Sequence, residues 1–277
     1  MLLNKLPGAS MAKRVLRKIL SKPVSEEKQY FLDDETFRHK PLFFYNTSLG
    51  KYYVPADATR DCIVACMKKG AIFEPEIVDV ARRYIKKDSI VLDVGANLGQ
   101  MSMLFAELTG AEGQVLSFEA DDYIFRILQK NIDVNNHHNI RAYLAAVYDK
   151  DGKEMFFPVQ DLKRFTSYGS YGLDPNAKEG RTIKTLTIDS LNIQDPISFM
   201  KIDIQGSDLF ALKGAIQTIK KHQMPIIFEF EQQFQKDFNT SFQDYIDFIR
   251  SISYRVEEVV NGINYLIIPD AEQKILL

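Results

Sequence analysis

The stretch IVLDVGANLGQ, residues 90–100, decides the fold of this chain. An apolar run reaches the acidic Asp93, breaks at Gly95 and Gly99, and opens into the apolar-periodic segment 101–108. This order predicts a buried strand, a tight turn and the start of a helix. Because glycine carries no Cβ, a ligand can approach the backbone of the turn closely. The stretch therefore predicts a site for a nucleotide-like ligand at the carboxyl edge of an α/β sheet.

Two further predicted strands also end in an acidic residue. The strand at 114–119 ends at Glu119, which lies 20 residues beyond Gly99. Rossmann-type units place at about this distance the carboxylate that binds a ribose diol. The segment 199–206 repeats the order of apolar strand, acid (Asp203) and glycine before a predicted helix. We expect these two acids and the one in the first strand to face one crevice. The alternative is that each acid only caps the helix that follows it.

The composition is that of a packed α/β protein. The 277 residues are 45% hydrophobic, which is ordinary for a soluble core and allows one large domain with additions or two small ones. The formal net charge of −2 gives no basic surface, so we expect no nucleic-acid partner. No apolar run approaches the roughly 20 residues that a membrane-spanning helix needs, and we expect a cytoplasmic location.

The cysteines and histidines do not indicate a metal site. Cys62 and Cys66 are the only cysteines, and their spacing puts them on one face of a helix. Zinc would need further ligands, yet the four histidines are scattered through the chain. Two reduced thiols in a reducing compartment explain the pair better, so we predict no metal.

The amino terminus is basic. Residues 1–25 carry six basic side chains and no acidic one, and no uninterrupted apolar core follows the charges as in a signal peptide. An amphipathic helix resting on the domain is the first interpretation. A helix on an anionic membrane surface and an organellar targeting segment remain open as alternatives.

The rest of the chain divides near residue 70. Residues 1–70 lack an α/β rhythm and form a predicted extension with a basic helix and a short hairpin around the turn at 46–50. Residues 71–277 form the predicted main domain, in which strands alternate with helices from Ile90 onward, with an interruption at 150–195, and this rhythm predicts a parallel sheet with right-handed crossovers. Asn261-Gly262 predicts a closing antiparallel hairpin. We expect strands at 90–95, 114–119, 140–147, 198–204 and 225–231, and helices at 99–109, 121–135, 207–221 and 241–252.

These segments resemble the FkbM-type S-adenosylmethionine-dependent methyltransferases. The matching pieces, in the order of that family, are VLDVGANLGQ (91–100), SFEA (117–120), AAVYDKDG (145–152), TLTIDSL (185–191), MKIDIQGSDLFALKGA (200–215) and IIFEFE (226–231). The resemblance implies a Rossmann-like class I methyltransferase domain over residues 71–277. Its sheet would be mostly parallel with an antiparallel C-terminal hairpin and helices on both faces.

The chain departs from the family pattern at two positions. Gln205 stands where the family more often has a glutamate, so a carboxylate has become a neutral amide. Ala120 follows Glu119 where proline is usual. The first change bears on how an acceptor is handled, and the second should be mild.

The resemblance implies S-adenosylmethionine as the cofactor and suggests which residues hold it. Backbone groups of the turn approach its amino-acid portion, Asp93 receives its ammonium directly or through water, and Glu119 binds the ribose hydroxyls. The predicted cofactor-binding residues are Asp93, Gly95, Asn97, Gly99, Glu119, Ala120 and Ala146. For catalysis we predict Asp203, which removes a proton from the acceptor or orients it, and Glu229, which reaches the acceptor. The alternatives are a helix-capping role for Asp203 and a solvent-facing edge for Glu229.

The predicted activity is O-methylation of a hydroxyl on a carbohydrate or polyketide-like metabolite, an acceptor class that follows from the resemblance alone. The partner is accordingly a small-molecule or glycan acceptor. One alternative keeps the chemistry but moves it to a protein or lipid-linked acceptor, with residues 1–25 contacting a membrane. Another alternative is a module that binds S-adenosylmethionine without turnover. The amide of Gln205, in place of the usual carboxylate, leaves this alternative open.

Overall fold

The computed structural model describes residues 28–162 and 166–270. The predictions made for residues 1–25 therefore lie outside the described part of the chain. The strands are β1 (Gln29–Tyr30), β2 (Leu42–Thr47), β3 (Gly50–Pro55), β4 (Ile90–Val94), β5 (Gln114–Glu119), β6 (Ile140–Leu144), β7 (Ala146–Val147), β8 (Glu154–Phe157), β9 (Arg181–Leu186), β10 (Ile197–Ile202), β11 (Ile226–Glu229), β12 (Tyr254–Val260) and β13 (Asn264–Pro269).

The α-helices connect these strands and cover both faces of the main sheet. They are α1 (Cys62–Lys68), α2 (Pro75–Tyr84), α3 (Gln100–Thr109), α4 (Asp122–Val134), α5 (Asp208–Lys213), α6 (Ile216–His222), α7 (Gln232–Phe238) and α8 (Phe242–Ser251). Two short 3-10 helices lie at Tyr168–Ser170 and Asp189–Leu191. Among the residues in view, no helix combines the length and the apolar character needed to span a membrane.

The main sheet has seven strands in the order β12-β13-β11-β10-β4-β5-β6. The ladders from β11 through β10, β4 and β5 to β6 are parallel, whereas β13 runs antiparallel to both β11 and β12. Parallel strands need crossover connections, which the intervening helices supply. The predicted α/β fold with a mostly parallel sheet and an antiparallel C-terminal hairpin is confirmed.

The alternation of side chains along the strands explains where the charged residues lie. Val91 and Phe199 are buried on the sheet face that α2 and α3 cover. Asp93 and Lys201 follow them by two residues, so they lie on the same face but at the carboxyl end of β4 and β10. Lys201 is also directly opposite Asp93 in the β10–β4 ladder. The sheet therefore brings the polar ends of two apolar strands together.

The N-terminal sheet packs against helix α4. Its strands are antiparallel with β2 in the centre, which confirms the predicted hairpin. Asn131 of α4 and Asn135, which follows this helix, bond the backbone of β3: Tyr53 N–H donates to Asn131 Oδ1 over 2.6 Å, and Lys51 N–H donates to Asn135 Oδ1 over 2.9 Å. Both side-chain amides donate back to the carbonyls of Tyr53 and Lys51. The extension thus shares polar contacts as well as an apolar core with the main domain.

The structure departs from the predicted elements in the second half of the chain. The predicted helix at 207–221 is two helices, because the Asp189 carboxylate accepts hydrogen bonds from the N–H groups of Gln217 and Thr218 and so caps a new helix start. The predicted strand at 140–147 divides into β6 and β7, and β7 joins a second sheet of order β7-β9-β8. Helix α7 was not predicted.

Candidate functional site

A cleft of about 990 Å³ opens at the carboxyl ends of β4, β5 and β10. Carboxyl ends of parallel strands are where open α/β sheets bind ligands. Of the residues predicted for the site, those in its wall are Gly95, Asn97, Glu119, Ala120, Ala146 and Asp203. Asp93, Gly99 and Glu229 lie behind this wall. The single cleft therefore brings together most of the residues predicted from three separate strand ends.

The turn after β4 is held between its two neighbouring strands. Gly95 has a φ of +83°, and a Cβ there would overlap the backbone oxygen of Asp203. The N–H groups of Gly95 and Ala96 both donate to the Phe118 carbonyl over 2.9 Å. Gly99 has a φ of +91°, and a Cβ there would approach Leu128 Cδ1 to 2.6 Å. Both glycines are thus required by the backbone conformation and by the surrounding packing.

Glu119 organises the floor of the cleft. One carboxylate oxygen, Oε2, accepts from the Asn97 N–H and the other, Oε1, accepts from the Asp121 N–H, each over 2.8 Å. Burial raises the pKa of Glu119 to about 7 despite these bonds. Each oxygen has further lone pairs, so the carboxylate can accept hydrogen bonds from a vicinal diol while it fixes the turn.

Asp93 is completely buried beneath the turn. Its Oδ2 accepts a hydrogen bond from Ser102 Oγ over 2.5 Å, and its Oδ1 lies 3.8 Å from Lys201 Nζ. Burial raises the pKa of Asp93, and the Lys201 charge opposes that shift. In this arrangement Asp93 supports the floor of the site, and its side chain has no exposed surface through which to touch a ligand.

Lys201 connects the two acids at the strand ends. Its Nζ lies 3.3 Å from Asp203 Oδ2 and donates to the Gly95 carbonyl over 3.3 Å. Burial lowers the pKa of Lys201, but the nearby carboxylates of Asp203 and Asp93 outweigh this effect and raise it. The lysine therefore stays charged and holds Asp203 next to the turn.

Gln205 lies between the two predicted catalytic carboxylates. Its Nε2 donates to Asp203 Oδ1 over 3.2 Å and to Glu229 Oε2 over 3.1 Å. The residue has a φ of +53°, in the left-handed region that costs energy for a side chain other than glycine. Burial, followed by the charge of Asp203, raises the pKa of Glu229 well above its usual range. The neutral amide that departs from the family pattern thus joins two carboxylates that would otherwise repel each other.

Small and aromatic side chains form the opposite end of the cleft. Ala145 and Ala146 lie in its wall together with Phe157, Tyr171 and Leu173. Small side chains at this strand end leave room for a flat ring, as the sequence indicated. Phe118 instead stacks on Tyr143 with ring centroids 5.0 Å apart, and its side chain belongs to the main core.

The segment 167–169 closes one side of the cleft through a contact with the N-terminal extension. Asp61 caps α1 and accepts hydrogen bonds from Ser167 Oγ over 2.7 Å and from Tyr168 N–H over 3.2 Å. Gly169 packs so closely that a Cβ would lie 2.7 Å from Asn97 Nδ2. The sequence did not indicate Asp61, because the residues around a helix-capping aspartate do not show that it also bonds the distant Ser167 and Tyr168.

The buried carboxyl groups predict how stability depends on pH. Burial raises the pKa of Glu74, Glu119 and Asp208 to about 7, from ordinary values of 4.5, 4.5 and 3.8. Between those values and about 7 the folded protein binds more protons than the unfolded chain, so stability falls as the pH rises. Each group contributes at most about 1.4 kcal/mol per pH unit. His137 and His222, whose pKa values burial lowers, act in the opposite direction.

The cofactor-free protein should therefore melt at a higher temperature at about pH 6 than at about pH 8. Thermal denaturation monitored by circular dichroism at both pH values measures the difference. The variant Glu119→Gln, which removes one of the three groups, should show a smaller difference. A melting temperature that falls on acidification of the wild-type protein would contradict the assignment.

Comparisons with known proteins address the identity of the site. The model of the methyltransferase FkbM domain matches residues 93–256. No curated protein matches the sequence. A methyltransferase FkbM from Methylobacillus flagellatus KT is similar in structure, with 14% identity, a TM-score of 0.43, and coverage of 94% of this chain and 60% of that one.

Two other solved structures show similarity at a comparable level. An rRNA methylase from Streptococcus thermophilus shares 11% identity over 69% of this chain and 91% of that chain, with a TM-score of 0.41. The Aeropyrum pernix fibrillarin in complex with S-adenosyl-L-methionine shares 11% identity over 90% of this chain and 84% of that chain, with a TM-score of 0.35.

The family match extends over more than half of the chain. It includes the glycine turn, Glu119, Asp203 and Glu229, and the main sheet has the class I methyltransferase architecture that the motifs implied. The chain therefore belongs to the FkbM methyltransferase family.

Proposed function

We propose that this methyltransferase transfers the methyl group of S-adenosylmethionine to a hydroxyl oxygen of a carbohydrate or polyketide-like metabolite. The observation that carries the proposal is the position of Asp203. Its carboxylate lies in the wall of the cleft, beside the turn at Gly95, and its side chain is 23% exposed. An acceptor in the cleft can therefore reach this carboxylate.

The residues in the cleft suit the cofactor of the family, S-adenosylmethionine. The backbone of the glycine turn lines the cleft at Gly95, Glu119 offers acceptors for the ribose hydroxyls, and Ala145 and Ala146 leave space for the adenine. When bound, this cofactor supplies a methyl group activated by a positively charged sulfur. The protein then has to exclude water and orient the acceptor.

Asp203 is the proposed general base. A hydroxyl attacks poorly at neutral pH unless its proton is removed during the reaction, and a positioned carboxylate can accept that proton. Lys201 and Gln205 fix the two oxygens of the Asp203 carboxylate, one each. Glu229 shares the Gln205 amide and would orient the acceptor from the next strand.

The charge around Asp203 favours an uncharged acceptor. Asp203 lies in the wall of the cleft, and burial followed by the Asp203 charge raises the pKa of the neighbouring Glu229 and of the half-buried Glu231. A phosphate-bearing acceptor such as RNA would be repelled there, whereas a polyol can donate hydrogen bonds to carboxylates. The carbohydrate or polyketide-like class itself rests on the motifs shared with the family.

Transfer of a labelled methyl group tests the proposed acceptor. The purified protein is incubated with methyl-labelled S-adenosylmethionine and with cell extract separated into small molecules, glycans, protein, lipid and RNA. We expect label in the small-molecule or glycan fraction, as a methyl ether identified by mass spectrometry. Label confined to RNA, protein or lipid would overturn the acceptor class.

Replacing Glu119 with alanine should weaken S-adenosylmethionine binding by about 1–3 kcal/mol, or roughly fivefold to 150-fold. The loss has two causes, since the ribose hydroxyls lose their acceptor and the Asn97 N–H in the turn loses its partner. Calorimetric titration measures the dissociation constant. Glu112→Ala, at an exposed position before the same strand, serves as the matched control. An unchanged dissociation constant for Glu119→Ala would refute its assignment.

A further inference from the structure

Glu74 is a further carboxylate in the wall of the cleft, on the other side of the β4 turn from Glu119. Glu119 ends β5, which neighbours β4 on one side, whereas Asn264, a partner of Glu74, pairs with Glu229 of β11 beyond β10 on the other side. Glu74 also lies before the part of the chain that matches the family model. The buried Glu119 and the half-buried Glu74 therefore lie on opposite sides of the glycine turn.

The Glu74 side chain is held in place by the C-terminal hairpin. Its Oε1 accepts hydrogen bonds from Asn261 Nδ2 over 3.0 Å and from Asn264 Nδ2 over 3.2 Å. No described residue donates a hydrogen bond to the other oxygen, Oε2. The backbone of Glu74 has a φ of +52° directly before Pro75, a costly conformation that surrounding contacts have to maintain. The carboxylate is thus oriented while one of its oxygens keeps its capacity to accept.

Glu74 shares its positively charged neighbour, Lys201, with two other acidic residues. Burial, followed by the charge of Asp203, raises the pKa of Glu74 to about 7, while the positive charge of Lys201 opposes the shift. Lys201 itself lies between Asp203 and Asp93, so one lysine serves three acids. A ligand cation beside Glu74 would stabilise the ionised carboxylate.

S-adenosylmethionine carries such a cation at the end opposite its adenine. Glu119, Gly95 and Glu74 line the same cleft, so a cofactor whose ribose is bound by Glu119 would direct its amino-acid portion past Gly95 towards Glu74. Asp93, the residue predicted from sequence to receive the ammonium, has no exposed side-chain surface, accepts a hydrogen bond from Ser102 and lies 3.8 Å from Lys201 Nζ. Glu74 lies in the wall of the cleft and has an oxygen available.

We propose that Glu74 binds the α-ammonium group of S-adenosylmethionine, with Asn261 and Asn264 orienting its carboxylate. The inference rests on the cofactor and is independent of the acceptor. It makes the loop before α2 and the hairpin of β12 and β13 part of the cofactor site. Glu74 is then a cofactor-binding residue in addition to those predicted from the motifs.

Calorimetric titration with two ligands tests this assignment. S-adenosylmethionine carries the ammonium, whereas 5′-methylthioadenosine has the same adenosine and sulfur but lacks the amino-acid portion. The variant Glu74→Gln keeps the shape and an oxygen for the two asparagines but loses the charge. The control is Glu76→Gln, an exposed acid in the first turn of the same helix.

Glu74→Gln should bind S-adenosylmethionine roughly tenfold to a hundredfold more weakly and 5′-methylthioadenosine as tightly as the wild-type protein. Glu76→Gln should bind both ligands like the wild type. An equal loss for both ligands would show that Glu74 only supports the fold, and unchanged binding of both would show that it does not contact the ammonium. Wild-type protein that binds neither ligand would instead contradict the cofactor, and the proposal with it.

Discussion

Replacing Gly95 with alanine should abolish measurable binding of S-adenosylmethionine and destabilise the protein by about 2–5 kcal/mol. A Cβ at this position would overlap the backbone oxygen of Asp203, so either β10 or the turn has to move. Overpacking of this kind costs about 1–3 kcal/mol, and the positive φ of +83° adds about 1–2 kcal/mol for a residue with a side chain. The displaced turn would also separate Asn97 from Glu119. Urea denaturation measures the stability loss, and calorimetric titration measures the binding loss.

Gly152 provides a matched control for this substitution. Its φ of +69° is also positive, but a Cβ there would meet nothing within 4 Å. Gly152→Ala should therefore show only the backbone cost of about 1–2 kcal/mol and bind the cofactor normally. If Gly95→Ala lowers stability and cofactor affinity no more than Gly152→Ala does, neither property requires the close approach of the turn to β10.

Asp203→Asn should slow methyl transfer by about 10²–10⁴-fold, the range that a general base contributes. The amide keeps the size of the side chain and can still bond to its neighbours, but it cannot accept a proton. Affinity for S-adenosylmethionine should change only a few-fold, because the proposed ribose and ammonium contacts lie elsewhere. Single-turnover rates measured beside calorimetric binding separate the two effects once an acceptor is known.

The control for Asp203 lies at the other end of the same strand. Asp195 is exposed just before the amino end of β10, so Asp195→Asn removes an equal charge far from the cleft and should leave the rate unchanged. A full rate in Asp203→Asn would remove this residue from the chemistry. A rate loss matched by an equal loss of cofactor affinity would assign it to binding.

The parts of the fold that local sequence determines were predicted correctly. Apolar runs that end in an acid or a glycine correctly predicted the strands around the cleft. A strand that is buried on both faces has to be apolar up to the carboxyl edge of the sheet. Asn261-Gly262 gave the closing hairpin, since this pair suits a tight turn. Glycines at fixed spacing indicated the turn.

The parts that depend on distant partners were missed. The break near Gly214 requires Asp189 to cap a helix 28 residues away along the chain. The sequence around Glu74 indicates only the start of a helix, because the asparagines that orient its carboxylate lie 187 and 190 residues later in the chain. Asp93 ends its strand as predicted, but only the pairing with Lys201 of β10 shows that it is sealed below the turn. Pairings over such separations leave no periodic pattern in one sequence.

Asn131 and Asn135, at the end of α4, should reduce aggregation of the protein at high concentration. The outer edge of β3 would otherwise present unpaired N–H and C=O groups, to which a strand of another molecule could add. Asn131 and Asn135 satisfy these groups at Tyr53 and Lys51 much as a fourth strand would. The side chains of Asn131 and Asn135 therefore hinder edge-to-edge aggregation of the protein through β3.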